Sequence, residues 1–313
     1  MAVTNLNKTT SGGLTPGMQE YFDRKLLRNM KPKLVHMQFG QKRPLPPNNG
    51  LTIQFRRWGE LGASTTPLTE GVAPEGQMMS QTEVKATIQE YGDVIYISDK
   101  LAKTHLDRVV SEAQMQVADQ GALSMDHITR DVINAGTNVL YANGKSARNA
   151  LAATDILTGK EIRKAVRMLK KAKAPKLRGG YYVCIVGPDI TYALQQDADW
   201  VKVSQYQDKE NIYSGEVGKL WGCIFVETTE AKIFEAAGAS SVDVASALVL
   251  GAEAYGVVEL DGKNVRTITK PVGSAGVYDP LDQICSTGWK VDGYACKILH
   301  EDWIVRIESG VAA

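Results

Sequence analysis

The chain has 313 residues, of which 43% are hydrophobic and 23% are charged, and this composition excludes a largely disordered or fibrous protein. Its 36 basic and 35 acidic residues give a net charge of +1, which argues against a protein whose main task is to grip nucleic acid or an anionic membrane. The length favours one large domain or two smaller ones, and no stretch is apolar for long enough to predict a membrane span.

The N-terminal region predicts a flexible arm. Residues 1–17 are rich in Thr, Asn, Ser and Gly and lack the apolar segment of a signal peptide. Pro16 is suited to the first turn of a helix that runs to about residue 29. Three prolines follow between Gly40 and Gly50, and such a stretch can hold neither a helix nor a central strand.

The next two segments predict a long hairpin. Apolar and polar residues alternate over 51–58 and again over 82–88, as in strands with one solvated face. The connection over 59–81 is far longer than the roughly 2–5 residues of an ordinary hairpin loop. We therefore expect a two-stranded arm that projects from the body. Since an isolated hairpin is marginal in water, the arm needs a surface to lie on, and a neighbouring subunit is the natural candidate.

A short strand at 94–97 precedes a long amphipathic helix. From Leu106 to Val132 the apolar residues mark one helical face, and Gly136 is a suitable stop. A helix from Leu106 to that stop has about nine turns and a length of roughly 45 Å. A helix of this length would be the rigid spine of an elongated molecule. Two shorter helices broken near Gly121 are the alternative.

The second half of the chain alternates helices with strands, which predicts a mixed α/β lobe. Thr158 and Glu161 have the spacing of a capping box at the start of one helix, and Pro188 opens another that runs to about Val201. The predicted strands are 181–186, 223–227, 247–250, 256–260, 289–299 and 303–307.

No motif for chemistry is recognised, so we predict no catalytic, cofactor-binding or metal-binding residue and no enzymatic activity. Asn143–Ser146 ends like a phosphate-binding loop, but Val139 stands where that loop needs a glycine. The histidines, His36, His105, His127 and His300, lack metal-ligand spacing. The cysteines, at 184, 223, 285 and 296, form no Cys-x-x-Cys pair and are expected to be buried, reduced thiols in a reducing compartment.

One helix region is strongly basic. Residues 158–178 contain nine Lys and Arg and a single acid, Glu161. This face would contact phosphates or an acidic patch on a partner subunit, or it is a solvated helix face, which charge runs usually are. The candidate residues are Lys160, Arg163, Lys164, Arg167, Lys170 and Lys171.

The order of these elements resembles the major capsid protein of tailed bacteriophages, which has the α+β fold named after phage Hong Kong ninety-seven. Individual stretches resemble the coat proteins of viruses similar to the short-tailed phage N-four, and they extend over nearly the whole chain. These stretches are TPGMQEYFDRKLL (15–27), FGQKRP (39–44), TPLTEGV (66–72), QEYGD (89–93), RDVINAGTNV (130–139), GEVGKLWG (215–222), FVETTEAKIF (225–234) and VRIES (305–309).

The resemblance implies a division of the chain and a set of partners. The implied parts are an N-terminal arm (1–45), an extended loop (46–98), a peripheral domain with the spine helix (99–149 and 271–313) and an axial domain (150–270). Copies would form pentamers and hexamers that close an icosahedral shell around double-stranded DNA, held without sequence preference. Assembly would take place in the host bacterial cytoplasm, with a separate scaffold protein, a portal and a decoration protein as further partners, and no membrane.

The extended loop would supply contacts between subunits. The residues expected to make them are Arg56, Arg57, Trp58, Glu70 and Glu75. Charges of one sign at these positions would need opposite charges on the neighbour; the alternative is that they are solvated loop residues. The lysine–asparagine cross-link of some relatives cannot be matched to positions here and is not predicted.

Two other functions remain open at this stage. An encapsulin-type compartment shell has the same fold and encloses cargo enzymes instead of a genome. An α/β enzyme that uses residues 150–270 as its catalytic domain would be a monomer or small oligomer with a polar pocket, and it would leave the 59–81 connection unexplained.

Overall fold

The computed structural model of the chain describes residues 6–7, 35–104, 109–196, 200, 216–260, 265–274 and 276–311. Of the predicted flexible arm (1–17), Leu6–Asn7 is described and forms a strand. The rest of the arm, the helix expected from Pro16 to about residue 29 and the position of His105 lie outside the described residues. The helices are α1 (Asp99–Thr104), α2 (Val109–Asn134), α3 (Gly159–Lys171) and α4 (Pro188–Gln195). The strands are β1 (Leu6–Asn7), β2 (Gln41–Leu45), β3 (Thr52–Trp58), β4 (Gln81–Thr87), β5 (Gln89–Ser98), β6 (Val139–Tyr141), β7 (Tyr182–Val186), β8 (Glu216–Leu220), β9 (Cys223–Glu227), β10 (Ile233–Phe234), β11 (Val244–Leu250), β12 (Tyr255–Leu260), β13 (Arg266–Lys270), β14 (Ile284–Ile298) and β15 (Ile304–Gly310).

The first sheet is organised around β14, a strand of 15 residues. Its strand order is β1-β5-β14-β12-β2, and β13 also pairs with β14. The Pro-rich stretch contributes β2, which lies at the end of this order and pairs in parallel with β12. The prediction that this stretch holds no central strand is confirmed, since Pro44 has no N–H to donate to a second neighbour.

The second sheet has the order β6-β15-β11-β7-β9-β8, with β10 on β11. Both of its faces are covered. Val183, Ile185 and Leu248 face a core shared with α2 and the first sheet, whereas Cys184 and Val249 face α3 and α4. Coverage on both sides explains why β7, β9 and β11 are almost continuously apolar.

Helix α2 runs unbroken for 26 residues, about 39 Å, so the predicted long helix forms and the alternative of two helices broken near Gly121 does not occur. Gly121 has a packing role instead. A Cβ added there would lie 3.1 Å from the indole ring of Trp289, a strand residue of β14. The same indole donates a hydrogen bond from Nε1 to Oε1 of Gln120 at 3.2 Å. The glycine therefore lets the helix approach the first sheet closely.

The predicted capping box at the start of α3 is not formed. The Thr158 hydroxyl donates to the carboxylate of Glu161, and its oxygen accepts no hydrogen bond from a backbone N–H of the first turn. Glu161 is almost fully buried, and a buried carboxylate must be satisfied by nearby donors. Thr158 and the ammonium of Lys164, 3.7 Å from Glu161, supply these contacts.

Strand pairing divides the chain differently from the predicted boundaries of 150–270 and 271–313. Strands β12 and β13 pair with β14 in the first sheet, while β15 pairs with β11 over seven residues in the second. The chain therefore crosses between the sheets three times: before β6, before β12 and before β15. Residues 255–270 belong with the first sheet and residues 304–310 with the second.

Candidate interaction surfaces

The apolar packing of the hairpin β3–β4 against the body is confined to its base. The two strands pair without interruption from Thr52↔Thr87 to Trp58↔Gln81. At the base, Phe55 and Ala86 are buried in a small core with Leu45, Ile88 and other apolar residues of the first sheet. Beyond Phe55 this anchoring stops, because every residue from 56 to 83 is exposed.

The exposed part of the hairpin displays apolar side chains in water. Met78 is 93% exposed, Leu68 77% and Trp58 62%, and Leu61, Val72 and Met79 are exposed as well. Scattered apolar residues are normal on a protein surface, but a concentration on one projecting segment is typical of an interaction site. The loop has few internal contacts, such as the hydrogen bond from Gln77 Nε2 to the carbonyl oxygen of Gly62 at 3.3 Å.

Two polar contacts hold the hairpin against its own subunit just past its base. Arg57 donates from Nη1 to Nδ1 of His300 at 2.7 Å, and the imidazole of His300 stacks on Trp303 with ring centroids 3.7 Å apart. Because Nδ1 accepts this bond, the imidazole is neutral here. Partial burial and the positive charge of Arg57 lower the pKa of His300. The carboxylate of Glu60 pairs with the ammonium of Lys173.

The predicted contact residues of the arm occupy distinct places. Arg56 is exposed across the hairpin from Glu83, and Trp58 is exposed across from Gln81. Arg57 instead contacts the subunit's own His300. Glu70 and Glu75 are both exposed in the loop. The structure thus leaves Arg56, Trp58, Glu70 and Glu75 available to a partner, and their contact with a neighbour stays a prediction.

The predicted basic face lies on the outer side of α3. The inner side packs on the second sheet through Ile162, Ala165, Val166 and Leu169. Five of the six candidate residues are exposed, and Lys164 is half-buried; the exposed ones are Lys160, Arg163, Arg167, Lys170 and Lys171.

Individual residues of this face differ in how firmly they are held. The Arg163 guanidinium lies 5.8 Å from the centroid of the Trp221 ring, and its Nε donates to the carbonyl oxygen of Gly159 at 3.2 Å. Within the described part of the chain, Arg167, Lys170 and Lys171 form no ion pair with a carboxylate. These three cations are therefore free to meet an external anion.

A buried cluster of charged side chains was not predicted from the sequence. Glu308 of β15 is fully buried and accepts two hydrogen bonds of 2.7 Å from Arg148. Arg306 Nε lies 2.8 Å from the same carboxylate, and its Nη1 donates to the carbonyl oxygen of Gly136 at 3.1 Å. The Arg148 guanidinium also stacks on the Phe234 ring at 3.5 Å. Strand alternation places Arg306 and Glu308 on one face, but Arg148 is 160 positions from Glu308 and no local pattern indicates the pairing.

Three residues with side chains that are often reactive, Cys184, Cys223 and His36, are buried in the protein. Burial raises the pKa of Cys223 to about 12 and that of Cys184 well above its ordinary value, so neither is a reactive thiolate. His36 is buried against Asp126, with Nδ1 2.7 Å from a carboxylate oxygen. Over the residues that the structure describes, no cluster of three or more His, Cys, Asp or Glu is placed to hold a metal ion. None of the described helices combines the length and the apolar character that crossing a membrane requires.

One family model matches most of the chain, and solved capsid structures share its fold. A family model described as phage capsid protein matches residues 81–307. Among solved structures, the capsid of Ralstonia phage GP4 has a chain that aligns with a TM-score of 0.70 and 14% identity, covering 87% of each chain. A chain of the cyanophage Pam1 capsid aligns with a TM-score of 0.71 and 13% identity, covering 91% of this chain and 92% of that one. At such identities the likeness concerns the fold alone. No curated protein matches the chain.

Proposed function

The chain belongs to the phage capsid protein family, and from this premise we propose that it is the major capsid protein of a tailed bacteriophage. Copies of it assemble into pentamers and hexamers, and these close an icosahedral shell around double-stranded DNA. The fold is of the Hong Kong ninety-seven type, with coat proteins similar to that of phage N-four as close relatives. The protein acts in the virion as a structural subunit without catalytic activity, after assembly in the host bacterial cytoplasm.

Elements of the structure support three of the four parts of the proposed fold; most of the fourth, the N-terminal arm, lies outside the described residues. The hairpin β3–β4 with its connection serves as the extended loop, and α2 with the first sheet forms the peripheral domain with its spine helix. The second sheet with α3 and α4 forms the axial domain, which meets its copies around the symmetry axes. The sheet pairing supports moving residues 255–270 to the peripheral domain, and residues 139–141 and 304–310 to the axial domain.

The observation that carries this proposal is the unbroken exposure of residues 56–83 on a hairpin that is anchored at one end. Leaving apolar area in water costs about 25 cal/mol per Å², and the subunit itself does not cover this area. A partner that buries the loop recovers that free energy. In a family of shell proteins, a neighbouring copy is the partner present in the greatest number.

The remaining partners follow from the same role. A scaffold protein guides the copies during assembly, and a portal occupies one vertex. Packaged DNA is held without sequence preference. The net charge of +1 supports this arrangement, because near-neutral subunits repel each other little and do not clamp the packed genome.

Replacing residues 60–79 by an Asn-Gly turn tests the proposal directly. The change keeps both strands and the Gly59–Ser80 backbone hydrogen bond of 2.8 Å, and it favours a tight hairpin. We expect a folded chain with the wild-type circular dichroism spectrum and thermal midpoint. Wild type should give closed shells by electron microscopy and sedimentation, with its scaffold protein if needed, whereas the variant should give none.

Each alternative outcome has a defined meaning. Normal shells from the shortened variant contradict the role of the hairpin in assembly. Wild-type chain that stays monomeric even with the scaffold and portal of its phage contradicts the capsid function and reopens the enzyme hypothesis. Particles that contain cargo enzymes in place of DNA identify an encapsulin-type compartment.

A further inference from the structure

The loop that joins β3 to β4 is acidic as well as apolar. Residues 59–80 contain three acids, Glu60, Glu70 and Glu75, and no lysine or arginine. Glu70 and Glu75 are exposed and have no ion pair with any cation in the described part of the chain. The loop therefore presents negative charge together with the exposed side chains of Leu68, Met78 and Met79.

The outer side of α3 has the complementary character. Arg167, Lys170 and Lys171 are exposed cations without a described carboxylate partner. Helix α4 covers the same face of the second sheet and exposes Tyr192 to 64%. This side of the molecule thus combines positive charge with an aromatic side chain that an apolar loop can contact. Opposed charges of this kind select a partner and accelerate its encounter.

One contact within the subunit shows that the two surfaces are chemically matched. Glu60, at the start of the loop, pairs with Lys173, two residues beyond the end of α3. Both side chains are largely exposed, so this pair contributes little to stability. Beyond Glu60 every loop residue is exposed, and neither Glu70 nor Glu75 has an ion pair with a cation of its own α3 in the described part of the chain. Glu70 and Glu75 remain for another copy.

We propose that the acidic loop of one copy, residues 59–80, docks on the basic outer side of α3 in a second copy. The inference rests on the proposed function, in which copies of the chain assemble, and it names the surface that receives the loop. Glu70 and Glu75 meet Arg167, Lys170 and Lys171, and the methionines, whose flexible side chains adapt to irregular surfaces, fill the space between the charges.

A charge exchange tests this pairing. The loop variant is Glu70→Lys with Glu75→Lys, and the helix variant is Arg167→Glu with Lys171→Glu. Each variant alone replaces attraction by repulsion, and we expect about a tenfold or greater loss in association per contact and few sedimenting particles. The combined chain restores opposite charges, so it should assemble again.

A matched control separates position from net charge. The loop variant combined with Lys100→Glu and Lys297→Glu has the same net charge as the combined chain, and both of these lysines are exposed elsewhere on the surface. It should stay as defective as the loop variant alone. Equal rescue by this control overturns the proposal, because net charge would then explain the result.

Cross-linking identifies which copies touch. Glu75→Cys in one tagged chain and Lys171→Cys in a second chain with another tag should form a mixed disulfide dimer on mild oxidation. Three of the four native cysteines are buried and the fourth is half-buried, so background cross-linking should be low. A chain that carries both Glu75→Cys and Lys171→Cys completes the test: if it forms the disulfide only within single chains, the assignment to a second copy is wrong.

The remaining outcomes are distinguishable. A helix variant that forms normal shells but retains less DNA shows that the basic face meets phosphates, and this overturns the proposal. Normal assembly of both single variants, or no rescue in the combined chain, overturns it while the capsid function stands. Wild-type chain that forms no shell even with its scaffold protein overturns the capsid function and this inference together.

Discussion

The hairpin β3–β4 and the second sheet are built from strands of similar length but are covered in opposite ways. In β11 all seven residues are buried, since the sheet has α3 and α4 on one face and α2 with the first sheet on the other. In the hairpin only the base is covered, and residues 56–83 are exposed. A single chain thus covers both faces of the second sheet, whereas it leaves most of the hairpin uncovered.

This contrast separates folding from assembly along the chain. Changes in the second sheet should alter the free energy of unfolding of a single subunit. Changes in the hairpin beyond Phe55 should leave that free energy nearly unchanged and act on the association of copies. This separation is tested by making the same kind of substitution once in the second sheet and once in the hairpin.

The largest effect is expected from aromatic truncation. Phe225 is buried in β9, with its ring centroid 4.9 Å from that of Trp200, so Phe225→Ala should reduce the free energy of unfolding by about 3–5 kcal/mol. Trp58→Ala removes a larger but exposed ring and should change it by less than about 0.5 kcal/mol. Chemical denaturation of the unassembled chain measures both. Similar losses in the two variants would refute the separation.

A smaller effect is expected from loss of a carboxylate charge. Glu308→Gln leaves Arg148 and Arg306 without their buried counter-ion and should cost about 3 kcal/mol. The matched change Glu83→Gln removes an exposed partner, 3.9 Å from Lys85, and should cost less than about 1 kcal/mol. The same denaturation experiment compares them. An insensitive Glu308→Gln variant would mean that the buried cluster does not secure the second sheet.

The smallest effect concerns His300, where the hairpin meets the body. Its pKa in the folded chain is lowered from the ordinary value of 6.5, first by burial and then by Arg57, while Glu253 and Asp302 act in the opposite direction. Below pH 6.5 the unfolded chain therefore binds the proton more readily, and stability falls as the pH decreases towards the folded pKa. Protonation also removes the acceptor of the Arg57 hydrogen bond.

Wild type and His300→Gln should consequently differ in how stability depends on pH between 6.5 and 5, with the steeper loss in wild type. Unfolding measured at several pH values, each with the variant as reference, gives the difference. Parallel curves would show that His300 does not titrate in a different way in the folded and unfolded states. Arg57→Gln is the matched control, because it removes the cation and should bring the pKa of His300 closer to its ordinary value.

Local patterns predicted the hairpin and the long helix well. The alternation of apolar and polar residues that predicts the hairpin lies within single strands, around Phe55 in β3 and around Val84 in β4. Both strands begin and end within one residue of the expected bounds. The apolar face of α2 was also predicted from the sequence. Gly121 fits on this face because the ring of Trp289 occupies the space beside it. Helix α4 ends at Gln195, earlier than the predicted end near Val201.

Contacts between residues far apart in the sequence could not be predicted from it. The pairing of β15 with β11, and of β12 with β14, depends on which strand edges meet after folding, and neither strand's own composition encodes it. For the same reason Glu308 gave no sign of being buried, because its partner Arg148 is remote in sequence. Of the candidate surfaces, the sequence located the charges of the arm and of α3, but only the structure showed that Arg57 contacts its own subunit.

The three crossings between the sheets have a consequence for biosynthesis. The ribosome completes β11 before it makes β12, β13 and β14, which all belong to the other sheet. Strand β15, which pairs with β11 along its full length, is made last. Until that moment β11 has an open apolar edge, the kind of edge that pairs wrongly with other nascent chains. The two sheets must therefore mature together, and no single cut can separate the chain into a part that holds one whole sheet and a part that holds the other.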